Sequence, residues 1–225
     1  MKSIFIVCAI LVAVCVAANA GMNTLTPAEK SAGWELLFDG KTLDGWKATG
    51  SADAWAVQDG VIAILKGGGG YLATNEQYGN FILSMEFKMD KATNSGIFIH
   101  WSDLGNPVQR GEEIQIFDSY GKDKPDKHDC GSIYDCLAPS KQAAKAAGEW
   151  NKIVITCRNN LVIIDLNGKR IIYMDLDRWT TPHMNPDGTP NKFETAYKDM
   201  PRVGHIGLQD HGHKCWFRNV KIKPL

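Results

Sequence analysis

The chain has 225 residues, of which 25 are Lys or Arg and 25 are Asp or Glu, so its formal net charge at pH 7 is zero. A balanced charge provides no electrostatic attraction for nucleic acid or for an anionic membrane, and we expect neither as a partner. The sequence contains no repeat and no linker, and its length fits one domain over residues 21–225.

The first residues have the pattern of a secretory signal peptide. Lys2 precedes an apolar run over 4–18, and Ala18-Asn19-Ala20 forms a small-x-small cleavage site. The run of about 15 residues is shorter than the roughly 20 that a membrane-spanning helix needs. We therefore predict a signal peptide at 1–20, no membrane insertion after its removal, and a secreted or periplasmic protein.

Four cysteines remain after the predicted cleavage: Cys130, Cys136, Cys157 and Cys215. In an oxidising compartment an even number suggests disulfides, and four cysteines allow three pairings, of which Cys130 with Cys136 is the local one. The alternative is four unpaired thiols. The spacing does not contain the double Cys-x-x-Cys pattern of a structural zinc site.

Most of the mature sequence predicts strands. Apolar residues alternate from Phe81 to Met89, and turns at Asn159-Asn160 and Asn167-Gly168 divide residues 152–175 into an antiparallel meander. Little helix is predicted: a capping box at 26–29 begins one short helix, and Ser140 could cap a short helical turn. Sheet must therefore pack on sheet. Further strands are predicted at 35–38, 55–57, 61–65, 97–101, 113–117, 205–209 and 216–222.

One long segment has no regular pattern. Residues 179–201 carry Pro182, Pro186, Pro190 and Pro201. Irregular segments of this length are usually functional or disordered. We predict that residues 179–201, the rim segment, form a rim or lid over a cleft. The glycine run 67–70 lacks the residues of a phosphate-binding loop and predicts a mobile hairpin tip.

Polar residues concentrate on two of the predicted strands. On a regular strand Glu113 and Gln115 lie on the face opposite Ile114 and Ile116, and a bulge would turn Asp118 toward them. In the same way Ile97 and Ile99 leave Phe98 and His100 on the other face, near Asn94 and Trp101. The strands therefore predict an accessible polar face that suits a sugar.

A third polar cluster ends the strand predicted at 205–209. Ile206 and Leu208 face the core, which leaves Gln209 on the accessible face, with Asp210 and His211 at the strand end. His211-x-His213 is a weak signal for a metal site. A histidine oriented by Asp210 is the alternative.

Several motifs in order resemble the 3-keto-disaccharide hydrolase family. They cover most of the mature chain: LFDGKTLDGW at 37–46, NSGI at 94–97, EIQIFD at 113–118, GEWN at 148–151, LNG at 166–168, GHIGLQDHG at 204–212 and FRN at 217–219. The resemblance implies an all-β fold, a concanavalin A-like jelly-roll sandwich of two antiparallel sheets. It also implies cleavage of a glycoside or oligosaccharide oxidised to a ketone at C3.

A ketone at C3 acidifies the proton on C2, which permits cleavage by elimination of the aglycone and then hydration. Such chemistry needs a base of near-neutral pKa and donors aimed at the enolate oxygen. We expect His211, oriented by Asp210, or Glu113 as the base. The expected substrate-binding residues are Gln115, Gln209, His100, Asp118, Asn94 and Trp101, with Trp179 as another ring for stacking.

The sequence is compatible with two alternatives. A divalent metal that polarises the ketone is compatible with the histidines, but the sequence does not demonstrate it. The alternative function is a non-catalytic secreted carbohydrate-binding module, which would have the same fold and polar face. It would bind sugar without reaction.

Overall fold

The computed structural model describes residues 21–225, and the predicted signal peptide at 1–20 lies outside the described residues. The elements are almost all strands, with two short helices and three single 3₁₀ turns. In chain order they are α1 (Pro27–Ser31), β1 (Glu35–Leu36), β2 (Trp46–Ala48), β3 (Trp55–Gln58), β4 (Val61–Ile64), β5 (Tyr71–Thr74), β6 (Phe81–Met89), β7 (Asn94–Trp101), α2 (Pro107–Arg110), β8 (Glu112–Phe117), β9 (Trp150–Arg158), β10 (Leu161–Leu166), β11 (Lys169–Asp175), β12 (His205–Gln209) and β13 (Cys215–Pro224).

The strands form two antiparallel sheets. The larger sheet has the order β11-β10-β9-β6-β13-β4-β3, with β1 paired to β13, and the smaller sheet has the order β2-β5-β12-β7-β8. Neighbours in each sheet are mostly distant in sequence, as in a jelly roll rather than a simple meander. The predicted all-β, concanavalin A-like sandwich of two antiparallel sheets is confirmed.

The core lies between the two sheets because each strand alternates as the sequence indicated. On β6 the side chains of Phe81, Leu83, Met85, Phe87 and Met89 are all fully buried. The smaller sheet turns a matching apolar face toward them. Its buried residues in the same core cluster include Leu72, Ile97, Ile99, Ile114, Ile116, Ile206 and Leu208.

Two local predictions at segment ends have different outcomes. Thr26 and Glu29 form the predicted capping box of α1. The helical turn predicted after Ser140 is wrong, because residues 140–148 contain no helix. Side chains from later in the chain bind the backbone there: Asn151 Oδ1 of β9 accepts from the Lys145 amide at 2.8 Å, and Asn167 of the turn between β10 and β11 donates to the Ala143 carbonyl.

The four described cysteines are free and buried. None of the three disulfide pairings is present, which agrees with the alternative of unpaired thiols. Burial raises the pKa of Cys130, Cys136 and Cys215 to about 12 and that of Cys157 well above its ordinary value. The thiols therefore act as apolar core groups. No helix in residues 21–225 is long and apolar enough to span a membrane.

Candidate active site

The candidate site lies on the outer face of the smaller sheet, which points away from the core. Gln115 of β8 pairs with Gly96 of β7, and Gln209 of β12 pairs with Tyr71 of β5. Two residues away on β8, Glu113 pairs with Phe98. Strand alternation therefore brings a carboxylate, two carboxamides and a phenol to one face. The sequence predicted three of them on this face as accessible groups, but Glu113, Gln115 and Gln209 are buried there.

Glu113 is the group with the most perturbed chemistry on this face. Its side chain is almost fully covered, with 7% exposure. Burial raises the pKa of Glu113 to about 7, and the charge of Lys192 and a hydrogen bond from Gln209 partly offset that effect. A carboxyl group with this pKa exchanges protons readily near neutral pH, which is what a general base needs.

The carboxamides beside Glu113 have free acceptor atoms. Gln115 Nε2 donates to Asn94 Oδ1 at 3.3 Å, and Gln209 Nε2 lies 3.5 Å from the Tyr71 hydroxyl. The Oε1 atoms of both glutamines are buried without a hydrogen-bond partner. Buried acceptors are normally satisfied, so these two oxygens are unfilled hydrogen-bonding positions beside Glu113. The structure brings Asn94, Gln115 and Gln209 together as expected.

Two glycines shape the floor of the site. A Cβ on Gly96 would lie 2.7 Å from Glu113 Oε1, so the carboxylate leans across this glycine. A Cβ on Gly207 would lie 2.9 Å from the Trp101 ring and 3.2 Å from the Phe98 Cβ. The two residues therefore provide room for the Glu113 carboxylate and for an aromatic cluster. Close approach of this kind is a usual reason for glycine inside a strand.

Tyr134 and Lys192 reach the site from irregular segments. The Tyr134 amide donates to the Glu113 carbonyl oxygen at 2.9 Å. Lys192 belongs to the rim segment, and its Nζ lies 4.0 Å from the centroid of the Tyr134 ring. The sequence predicted a rim here but identified neither residue, because side chains on irregular segments have no periodicity that gives their direction.

The predicted orientation of His100 is wrong. His100 has a positive φ of 47°, and the pairing of β7 with β12 shifts register next to it. This bulge turns the imidazole inward, where Nδ1 lies 3.1 Å from Glu112 Oε2 and Nε2 lies 3.2 Å from the Gly79 carbonyl oxygen. His100 is 1% exposed and Glu112 is fully buried. His100 is therefore a structural partner of Glu112 and lies away from the predicted sugar face.

The predicted bond between Asp210 and His211 is also wrong. Asp210 Oδ2 accepts from the Gly69 amide at 2.7 Å, and Oδ1 accepts from the Gly212 amide at 2.8 Å. The carboxylate thus ties the glycine run 67–70 to the end of β12, and the run joins strands of different sheets instead of forming a mobile hairpin tip. His211 is exposed and its ring stacks on His213 at 6.5 Å.

Asp118 does not turn toward Glu113. The pairing of β8 with β7 runs in register from Glu112 to Phe117, so the predicted bulge is absent from this strand. Asp118 lies beyond the strand end, where Oδ2 accepts from the Ala92 amide at 2.9 Å. Its carboxylate therefore stabilises the turn between β6 and β7.

The two tryptophans named as stacking candidates are buried. Trp101 is fully covered on the outer face, 5.2 Å from the Tyr71 ring, and its Nε1 donates to the Asp103 carbonyl oxygen at 2.6 Å. Trp179 is 6% exposed and donates to Asn185 Oδ1 at 2.9 Å. Trp101 packs beneath Tyr71, and Trp179 anchors the rim segment.

The described residues do not contain a group of three or more His, Cys, Asp and Glu side chains that could hold a metal ion. His211 and His213 lack a third ligand of these types within residues 21–225. The donor set therefore does not fit a divalent metal held by the protein alone.

A separate cavity of about 440 Å³ lies on the outer face of the larger sheet. Four of its five charged side chains pair with each other: Lys221 binds Glu29, and Arg218 Nε donates to Glu86 Oε2 at 2.7 Å. Because these charges already satisfy one another, this cavity lacks a group as perturbed as Glu113. The candidate site therefore lies on the smaller sheet.

We expect Glu113→Gln to stabilise the protein at pH 8 but not at pH 4. The folded protein keeps the Glu113 proton up to about pH 7, whereas the unfolded chain releases it near about pH 4.3. The free energy of unfolding therefore falls as the pH rises through this window, by up to about 3 kcal/mol. Urea unfolding of both proteins at the two pH values measures the effect. An equal difference at both would show a packing effect instead.

Comparison with known proteins confirms the resemblance found in the sequence. A curated protein of Bacteroides thetaiotaomicron named 3-keto-disaccharide hydrolase is 28% identical over 243 residues, covering 92% of this chain and 83% of that protein. A solved structure from Parabacteroides distasonis, described as a glycosyl hydrolase, is 35% identical with a TM-score of 0.78, covering 85% of this chain and 99% of that one.

A more distant solved structure, a family 66 carbohydrate-binding module from Bacillus subtilis, has 10% identity and a TM-score of 0.50, covering 80% of this chain and 95% of that one. At that identity the likeness supports the fold alone. The profile of the 3-keto-alpha-glucoside-1,2-lyase-like domain matches residues 33–223. This match spans most of the chain, which therefore belongs to the 3-keto-alpha-glucoside-1,2-lyase-like domain family.

Proposed function

We propose that this protein cleaves 3-keto-glycosides, including 3-keto-disaccharides, by elimination and hydration, with Glu113 as the base. The family and the name of the curated relative support a carbohydrate substrate of this class. The observation that carries the proposal is the buried Glu113 carboxyl group, which has a pKa of about 7 and lies beside two carboxamides on the outer face of the smaller sheet. Elimination next to a ketone needs one such base.

In the first step the Glu113 carboxylate removes the proton from C2 of the keto-sugar. The C–H electrons form the C2–C3 double bond of an enolate, whose oxygen takes the negative charge. Collapse of the enolate restores the ketone, forms a C1–C2 double bond and expels the C1 oxygen of the aglycone. The proton now on Glu113 passes to that oxygen, so the aglycone leaves as an alcohol.

Hydration then completes the cleavage. Water adds its hydroxyl to C1 of the enone and a proton returns to C2, so the sum of both stages is hydrolysis. Lys192 lies close enough to Glu113 to lower its pKa, and its positive charge there favours the developing enolate. The free oxygens of Gln115 and Gln209 accept hydrogen bonds from sugar hydroxyls.

An ordinary retaining or inverting glycosidase needs a pair of carboxyl groups that flank the glycosidic bond. The carboxylates nearest to Glu113 in the sequence have other partners: Glu112 pairs with His100 in the core, and Asp118 binds the Ala92 amide. The central position of the acidic motif is Gln115, a carboxamide. These contacts favour single-base elimination over a two-carboxylate mechanism.

The test is incubation of the protein with a 3-keto-disaccharide and with the same disaccharide before oxidation, in D₂O. We expect sugar release from the keto form alone, with deuterium at C2 of the hydrated product. Equal release from both would indicate an ordinary glycosidase. Binding of either sugar without release would indicate a carbohydrate-binding module.

A further inference from the structure

Asp135 connects several segments around the site. Its Oδ2 accepts from the Lys192 amide at 2.8 Å, and its Oδ1 lies 3.1 Å from His128 Nε2 and 3.4 Å from Lys127 Nζ. Its carbonyl oxygen accepts from Asn185 Nδ2 at 3.1 Å. One residue thus contacts the rim segment at two places and the preceding turn at two more.

The backbone of Lys192 is held from both sides. Its amide binds Asp135, and its carbonyl oxygen accepts from Gln109 Nε2 at 3.2 Å. The exposed lysine side chain then lies over the ring of Tyr134, the residue before Asp135. Since the Tyr134 amide binds the Glu113 carbonyl oxygen, these contacts lead in two steps from Asp135 to the base.

We propose that Asp135 is a positioning residue, whose carboxylate fastens the rim segment so that the Lys192 ammonium stays beside Glu113. The proposal rests on the proposed function for its catalytic meaning. The positioning of Lys192 can be tested without that function, because the effect of its ammonium group on the pKa of Glu113 can be measured by titration. A long lysine side chain on an irregular segment needs such an attachment, since its own rotamer freedom opposes a fixed position.

The sign of one measurement separates positioning from a simple charge effect. Asp135 is itself negative, so its removal alone would lower the pKa of a nearby carboxyl group. Release of Lys192 removes a positive charge and raises the pKa of Glu113. A rise in Asp135→Gly therefore reports displacement of the lysine.

The experiment titrates Glu113 in the whole protein by carbon NMR of labelled glutamate carboxyls, with Glu113→Gln used for assignment. The variants are Asp135→Gly and Lys192→Met. Glycine is chosen because Asp135 has a φ of 62°, which glycine adopts without strain. The matched control is Asp126→Ala, which removes an aspartate that pairs with Lys122 and the His128 amide and has no contact with Lys192.

We expect both test variants to raise the pKa of Glu113 by about 0.5 to 1 unit, with no further rise when they are combined. The control should leave it unchanged. Turnover of the keto-sugar should fall at least about tenfold in both test variants, mainly in kcat.

A rise in Lys192→Met without one in Asp135→Gly would overturn the proposal. If Asp135→Gly does not fold, Asp135→Asn is titrated by the same criterion, because asparagine also tolerates positive φ. The titration needs no substrate. A protein inactive on keto-sugars but with the expected shifts would therefore refute the proposed function alone.

Discussion

Replacement of Glu113 by glutamine is expected to lower kcat/KM for a 3-keto-disaccharide by about 10³-fold, within the range that general bases contribute. Glutamine keeps the size and most of the packing of the side chain but cannot accept a proton. Folding should be retained, since the carboxyl group is buried with a pKa of about 7 and its neutral form is favoured there. Steady-state assays with a sugar-release readout measure the change.

The same prediction has a pH signature in the unmodified protein. The carboxylate is the active form of the base, so kcat/KM should rise with pH and level off above about pH 7. His211→Asn is the matched comparison because His211 was the other candidate base, and it is exposed. We expect that variant to retain activity within about twofold, like most exposed substitutions. A large loss of activity in His211→Asn with normal activity in Glu113→Gln would show that His211, and not Glu113, is the base.

The substitution Gly96→Ala is expected to reduce turnover by about 100-fold while the protein stays folded. The added Cβ would lie 2.7 Å from Glu113 Oε1 and 3.1 Å from its Cγ, so the base must move. A displacement of about 1 Å can remove about 10²-fold in rate, because reaction requires close alignment with C2. Kinetics and thermal unfolding of the same preparation measure the two effects.

A matched control for Gly96→Ala is Gly105→Ala. A Cβ on Gly105 would meet only the Asp103 carboxylate, at 3.3 Å. Neither glycine has a positive φ, so both substitutions leave the backbone unstrained. We expect normal turnover in the control. An equal loss in both variants, or a normal rate in Gly96→Ala, would contradict the placement of Glu113 across this glycine.

Where the strands are regular, the sequence correctly predicted which residues lie on the outer face of the smaller sheet. Alternation around Ile114 and Ile116 placed Glu113 and Gln115 on the outer side, and Leu208 did the same for Gln209. These assignments need only a local period of two. The same reasoning identified β6 with its correct ends, because every second residue of that strand enters the core.

Prediction failed where backbone geometry or distant contacts decide direction. The bulge at His100 turns its side chain to the opposite face of the sheet, and the residue types of that strand do not predict a bulge. Asp210 binds Gly69, a partner 141 residues away in sequence. The positions of the Lys192 and Tyr134 side chains depend on how irregular segments pack against β8. Such contacts arise from the whole fold, so a local pattern does not contain them.

Under the proposed mechanism, Glu112 and Glu113 also make the pairing register of β8 a condition for activity. These adjacent residues point to opposite sides of the sheet, where one binds His100 in the interior and the other stays available for chemistry. A slip of one residue would exchange them and turn Ile114 toward solvent. Such a misfolded form would keep its strand content, so circular dichroism would not distinguish it from the active protein. Recovery of activity is therefore the more informative measure of correct refolding.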